Sequence, residues 1–304
     1  MATQTTHIQI QSWLPKRAHQ AHKGDFGRVL VVAGSRSMCG AGFLCAKSAL
    51  TAGAGLVYWA LPASMQPAFA AALPEVITLP LPENSSGEID QTAWEFFPKI
   101  LEQYHPSLLV IGPGMGRSSL LPFLLRQIQI PMIIDADAIN ALAQITDWAS
   151  RWPQARPAIF TPHAMEMARL LHTSLAATPQ DRLCQLQELV YLTGGVGVFK
   201  GAPTLLAATV AGEMSIFENT TGGPALAKAG TGDVLSGVIA GLWAQLGMAE
   251  GFSVISALKA SVCGVYLHGR AGDLAARAKS DYGVLASDVL SYLPAAFLTG
   301  EEGR

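Results

Sequence analysis

The feature that most limits how this chain can fold is a repeated exchange between two kinds of segment. Short apolar runs rich in Val, Ile and Leu alternate with stretches of helical length and pattern. The runs are RVLVVAGS (28–35), LVYWALP (56–62), VITLP (76–80), LLVIGPG (108–114), PMIIDAD (131–137) and AIFTPH (158–163). Near-continuous apolar strands of this size suit a parallel sheet covered on both faces. Between them, a segment such as GAGFLCAKSALTAG (40–53) divides into two helical faces. The alternation predicts an α/β fold with an open, mostly parallel central sheet and helices on both faces. PENSSGEIDQ (82–91) reads as a polar surface loop. With no repeat, low-complexity run or boundary in view, the reading is one domain over 1–304, preceded by a short N-terminal extension at 1–22.

Composition narrows the class further. Half of the residues are apolar and 14% are charged, with 20 Lys and Arg against 22 Asp and Glu and a formal charge of −2. A chain without a basic surplus or a basic run gives no footprint for nucleic acid. Cys39, Cys45, Cys184 and Cys263 show neither CxxC pairing nor Cys/His metal spacing, which fits reduced thiols in a cytoplasmic protein. MATQTTHIQIQS (1–12) lacks the basic start and apolar core of a signal peptide. Ser48 to Pro74 is uncharged but broken by Gly53, Gly55, Pro62 and Pro67, and Val234 to Ala249 spans 16 residues, short for a membrane helix. Both read as buried core, and no membrane partner is expected.

Several strands end in residues unusual for a core: Gly34-Ser35, Gly112-Pro113-Gly114, Asp135 with Asp137, Thr161-Pro162-His163, and Lys200-Gly201 after VGVF (196–199). Ligands of open α/β sheets bind outside the carboxyl ends of the strands, so these residues outline a site. AGTGDVLSG (229–237) adds a second element. From Val234 onward, Leu235, Val238, Ile239, Leu242, Trp243 and Leu246 make one helix face, so GTGD is the first turn of a helix. Glycines leave its amides uncovered, and the helix dipole adds to their pull on an anion, as a phosphate undergoing transfer requires. Asp233 has two readings there, a helix cap or a catalytic carboxylate. Ser or Thr would be the more natural purely structural choice, because a carboxylate opposes an incoming phosphate.

The remaining motifs are individually weaker. KGAPT (200–204) fits either an ordinary hairpin turn or a loop touching nucleotide phosphates. GPGMG (112–116) allows close backbone approach to a ligand but lacks the GxGxxG spacing of a dinucleotide fold. DADAIN (135–140) places two carboxylates at i and i+2, suited to a water-coordinated Mg²⁺ or to capping the next helix. In TPHAMEMARLL (161–171), Glu166 reads as part of a capping box, and His163 gains weight only from its company.

Taken together, HKGDFGRVLVVAGS (22–35), GAGFLCAKSALTAGAG (40–55), GPGMG, DADAIN, TPHAMEMARLL, KGAPT and GGPALAKAGTGDVLSG (222–237) resemble, in this order, the NAD(P)H-hydrate dehydratases of the ribokinase-like superfamily. The resemblance runs from about Leu14 to about Leu293. GTGD is shared with many sugar and vitamin kinases, whereas HKGxFG and TPHxxEMARLL are the specific parts. The resemblance implies repair of hydrated NADH or NADPH (NADHX, NADPHX): the ring hydroxyl is phosphorylated by ADP or ATP with Mg²⁺, and phosphate then leaves.

By motif, Asp233 would act on the hydroxyl, with Gly230, Thr231 and Gly232 as the anion hole. Lys200, Gly201, Ala202, Pro203, Thr204 and Gly232 would contact the nucleotide. Ala41, Gly114 and His163, with Asp233, would line the hydrate pocket. Asp135, Asp137 or Glu166 would hold the metal through water. Met165 stands where the family usually has Gly, and Pro224 near where it tends to have Asn. Many relatives carry a further epimerase domain, and the short segment before HKG implies a stand-alone dehydratase. The resemblance also implies a homo-oligomer, often a tetramer. The rival readings are a kinase for a small alcohol such as a vitamin precursor, which would keep the phospho-product, and a nucleotide sensor without turnover.

Overall fold

A computed structural model describes residues 2–298 of the chain. Its strands are β1 (Thr3–Gln4), β2 (Arg28–Val32), β3 (Leu56–Pro62), β4 (Ile77–Leu81), β5 (Leu108–Ile111), β6 (Met132–Ile134), β7 (Ala158–Phe160), β8 (Val196–Phe199), β9 (Thr204–Val210) and β10 (Glu213–Asn219). They form one sheet in the order β1-β10-β9-β8-β7-β6-β5-β2-β3-β4. From β8 to β4 every pairing is parallel, while β8–β9 and β9–β10 are antiparallel hairpins and β1 lies parallel on β10. The mostly parallel sheet expected from the apolar runs is therefore present.

Alternation along each strand feeds two cores. Val29 and Val31 of β2 pack with Trp59 and Trp243 on one face, and Leu30 and Val32 pack with Phe97 and Phe160 on the other. Helices cover both, which is why strands such as Leu108–Ile111 are apolar at every position. The Trp59 indole donates to the Ala33 carbonyl at 2.9 Å, tying β3 to the end of β2 where the site begins. Truncating a fully buried Trp of this kind costs about 3–5 kcal/mol.

Three local outcomes add to or alter the sequence reading. The Thr231–Glu250 helix is buried all round from Val234 to Gly247 rather than along one face. It is sandwiched against the helices Cys39–Thr51 and Val254–Gly283. A Cβ at Gly237 would stand 2.2 Å from the Cys45 carbonyl oxygen, so glycine is what lets the two helices cross this closely. The 82–91 loop is docked, not free: Glu83 bridges Ile89, its carboxylate pairs with Arg36 at 3.1 Å, and Glu88 accepts the Arg117 amide at 2.9 Å. Finally, the segment read as an extension contributes β1 to the sheet edge and buries Ile10 completely.

The order of the sheet locates the site. Chain order runs β2, β3, β4 in one direction and β5, β6, β7, β8 in the other, so the switch point falls between β2 and β5. There the Gly34 amide donates to the Pro113 carbonyl at 2.8 Å. A crevice outside the carboxyl ends of the strands at such a point is where open α/β sheets place their ligands. The four cysteines are free thiols. Among the described residues, no helix is long and apolar enough to cross a membrane.

Candidate active site

The Thr231–Glu250 helix begins at Gly230, whose φ of 89° is left-handed and so favours glycine. No side chain caps this end, and the Gly232 and Asp233 amides belong to a first turn that has no intrahelical acceptors. The structure thus places GTGD at a helix start, and uncapped amides on a helix dipole are an arrangement that attracts an anion. Asp233 is the third residue of the helix, not its cap, and among the described residues its carboxylate accepts no hydrogen bond. Burial first, then the charge of Asp135, pushes its carboxyl up to about 7.

Facing this turn is a lysine held by two acids. Lys200, at the end of β8, lies 2.8 Å from Asp135 Oδ1 and 3.7 Å from Glu166 Oε2. Burial works against the ammonium, yet Asp135 and Glu166 outweigh it and raise its pKa. Asp135, at the end of β6, is buried too, but Lys200 and hydrogen bonds from Ser236 and Thr161 hold its carboxyl below the usual range. Ser236 Oγ donates to Asp135 Oδ2 at 2.7 Å from one helical turn beyond Asp233. Asp135 therefore links the lysine to the helix that carries Asp233. A Cβ on Gly232 would come within 3.7 Å of Lys200 Nζ, so the loop lysine and the anion-binding turn are neighbours.

KGAPT forms the hairpin turn that was one of its two readings. Residues 200–203 connect the antiparallel β8–β9 hairpin, with a cis Ala202–Pro203 bond, and they also deliver Lys200 to the site. Lys200 N donates to the Pro162 carbonyl at 2.9 Å, which docks the hairpin beside the end of β7. His163 caps the Ala164–Leu171 helix: its Nδ1 accepts the Met165 and Glu166 amides, while Glu166 accepts the His163 amide at 2.8 Å. Burial and then Lys200 lower the His163 pKa, so the half-exposed imidazole is neutral at pH 7. Glu166 is buried, and burial raises its carboxyl. Met165 is exposed, and Pro224 is an exposed residue that begins a turn at 224–226 whose Ala225 is buried.

Ala41 and Gly114 also meet. A Cβ on Gly114, whose φ is +62°, would stand 2.7 Å from the Ala41 Cβ and 2.9 Å from the Met38 carbonyl oxygen. Asp137 takes a different direction from Asp135: its Oδ2 accepts the Gly116 amide at 2.8 Å and so braces the GPGMG turn. Among the described residues, no three His, Cys, Asp or Glu side chains are grouped to hold a metal ion. The oxygens of Asp135 go to Lys200 and Ser236, and those of Glu166 to His163 and Lys200.

Sequence reading placed Thr161 at a strand end but did not single out Ser236, nor the links of Asp135 to Ser236, Thr161 and Lys200. Those partners are 101, 26 and 65 positions away from Asp135, and only strand order makes them neighbours. The sole local signal was Ser236 at i+3 from Asp233 on one helix.

Fold and site together define the class, a ribokinase-like α/β protein with an uncapped helix start beside a buried carboxylate. A ribokinase-like superfamily protein from Enterococcus faecalis superposes with a TM-score of 0.77 at 28% identity, covering 96% of this chain and 94% of that one. An ADP/ATP-dependent NAD(P)H-hydrate dehydratase from Bacillus subtilis, co-crystallized with ATP/Mg²⁺, superposes with a TM-score of 0.75 at 26% identity, covering 96% of both chains. The family model for NAD(P)H-hydrate dehydratase matches residues 29–295, and the chain belongs to that family. It is 40% identical over 301 residues to a bifunctional NAD(P)H-hydrate repair enzyme from Moorella thermoacetica, covering 98% of this chain and 54% of that protein. The chain spans about half the length of the bifunctional relatives it matches.

Proposed function

We propose that this chain dehydrates (6S)-NADHX and NADPHX to NADH and NADPH, with ADP or ATP as phosphoryl donor. The ring hydroxyl oxygen attacks the terminal phosphorus, and the shortened nucleotide leaves with the bond electrons. Asp233 orients the hydroxyl and takes its proton, for which a carboxyl pushed up to about 7 is well matched at neutral pH. Phosphate then departs with the electron pair of the C–O bond, a step hydroxide would make poorly. Loss of a ring proton restores the dihydropyridine.

The observation that carries this reading is the meeting of an uncapped glycine-started helix turn with a raised, unbonded carboxyl and Lys200. Gly230, Thr231 and Gly232 supply the anion hole, and Lys200 to Thr204 with Gly232 take the nucleotide. Ala41, Gly114 and His163 line the hydrate pocket. The paired carboxylates do not form a cage for a bare metal ion, but they suit Mg²⁺ that enters on nucleotide phosphates with its own waters, Asp135, Asp137 or Glu166 acting through water. Such an ion would neutralise phosphate charge. We further propose that the chain is a single cytoplasmic domain and works as a homotetramer.

The test is to incubate purified protein with hydrated NADH, Mg²⁺ and either ADP or ATP, following absorbance in the NADH band and free phosphate. A nucleotide-dependent rise matched by phosphate is expected. A stable phospho-product without that rise would instead mark a kinase, and no consumption of either donor would mark a sensor.

A further inference from the structure

Arg182 lies on the Pro179–Thr193 helix, whose first turn is fixed by a Thr178/Asp181 capping box. Its guanidinium lies 4.8 Å from the centre of the Phe199 ring at the end of β8. A Cβ on Gly201 would meet Nη2, Cζ and Nη1 at 2.5, 3.0 and 3.4 Å, so the group lies close over Gly201, Nη2 nearest, in the loop proposed for the nucleotide. A side chain at 201 would have to displace the guanidinium. Among the described residues, the one acceptor for its five N–H donors is the Phe199 carbonyl, at a long 3.4 Å. Among the described residues, no carboxylate lies within 4.0 Å of it.

The surrounding charges make this arginine stand out. Lys200, the other cation of the loop, is committed to Asp135 and Glu166. Arg169 donates to Asn140, and Lys228 to the Tyr282 carbonyl. The cleft itself carries Asp135, Asp137, Glu166 and Asp233 against one lysine. A nucleoside diphosphate therefore approaches a site whose fixed side chains are mostly of its own sign. Arg182 is a cation at the edge of that site with its donor fork open, half-exposed and already stacked in place. Guanidinium groups match phosphate oxygens bidentately, and one preorganised by stacking loses little freedom on binding.

We propose that Arg182 is a phosphate-binding residue of the adenine-nucleotide site, reaching over Gly201 to a phosphate of the bound nucleotide. It makes the site discriminate nucleotide from nucleoside. The assignment deepens the reading of 200–204 as the nucleotide loop and rests on it.

The test measures equilibrium affinity for ADP and for adenosine, at fixed Mg²⁺, in the intact chain and in Arg182→Gln and Arg182→Lys. Arg182→Gln is expected to weaken ADP by about ten- to a hundredfold while leaving adenosine unchanged. It should also flatten the salt dependence of ADP affinity, because a phosphate contact is screened. Arg182→Lys, which keeps the charge but not the fork, should fall between the two, and it decides the matter should the Gln variant not fold. ADP affinity equal to that of the parent overturns the proposal. Equal losses for ADP and adenosine overturn it as well, since the side chain would then only prop the loop. A parent chain that binds no adenine nucleotide would overturn the nucleotide site itself and Arg182's place in it.

Discussion

Asp233→Asn keeps the size of the side chain and removes its charge. In the folded chain the Asp233 carboxyl is raised from 3.8 to about 7, by burial first and by Asp135 second. The unfolded chain keeps the ordinary value, so the folded chain binds more protons throughout that window. Stability of the parent then falls as pH rises from about 4 to about 7, and the loss is complete above the folded value. A rise of roughly three units, at about 1.4 kcal/mol each, sets an upper bound of roughly 4 kcal/mol on the strain of ionised Asp233. Partial exposure and salt reduce it to a few kcal/mol. The Asn variant escapes this strain, so it should melt roughly 5 °C or more above the parent at pH 8, with the gap closing toward pH 4.

The same change removes the proposed base and should lower turnover by about 10²- to 10⁴-fold with nucleotide affinity retained. Calorimetric melting at pH 5 and pH 8, beside the NADH-band assay, reads both effects. In the parent, kcat/KM should fall about tenfold per pH unit below about 7. A variant no more stable than the parent at pH 8, or one whose advantage is equal at both pH values, would refute the argument that a buried charge is being held there. Full activity would reduce Asp233 to a residue of the helix turn.

Three other perturbations follow from the geometry. Lys200→Met leaves Asp135 buried without its cation and should destabilise the fold by about 3–5 kcal/mol in a denaturant titration, unchanged stability counting against the pair as drawn. Gly114→Ala pushes a Cβ against Ala41 and the Met38 carbonyl, so KM for the hydrate should rise at least about tenfold while ADP affinity holds; an unaffected KM would remove this corner from the pocket. Burial lowers the His268 pKa to about 4 from 6.5, which means stability is lost as pH falls through that window, by roughly 3 kcal/mol in all. His268→Gln should flatten that acid limb in denaturation curves at pH 7 and 4.5, and a limb of parental steepness would assign it elsewhere.

Much of the fold was legible because burial on both faces imposes one simple pattern. LVYWALP coincides with β3, residue for residue. VITLP (76–80) is displaced by one residue from β4, and the other four runs overshoot their strands informatively: AGS after Val32, GPG after Ile111 and DAD after Ile134 lie beyond the last paired residue, at the carboxyl edge of the sheet. Not singled out were β9 and β10; EMSIFEN of β10 is half-exposed and lacks an apolar run. The site was legible as motifs but not as a network. Lys200, Asp135 and Ser236 lie on three elements whose adjacency depends on strand order, which local periodicity does not carry.

The sequence left open whether the aspartate of GTGD caps a helix or serves chemistry, and a comparison inside the chain argues against the cap. Asp181 and Asp233 occupy the same position, third in their helices. Asp181 follows Thr178, accepts the Ala177 and Thr178 amides at 3.1 and 2.9 Å, and has its carboxyl lowered, first by the Thr178 hydroxyl and then by those amides. That is how a capping carboxylate behaves: it is exposed, bonded and comfortable as an anion. Asp233 follows a glycine that offers no hydroxyl, accepts no hydrogen bond among the described residues, and is pushed toward neutrality by burial and by three other acids. Selection for stability alone would not hold a carboxylate there, since removing the charge relieves strain. A side chain kept where it works against folding, between an open anion-binding turn and a charged lysine, points to work done on a ligand.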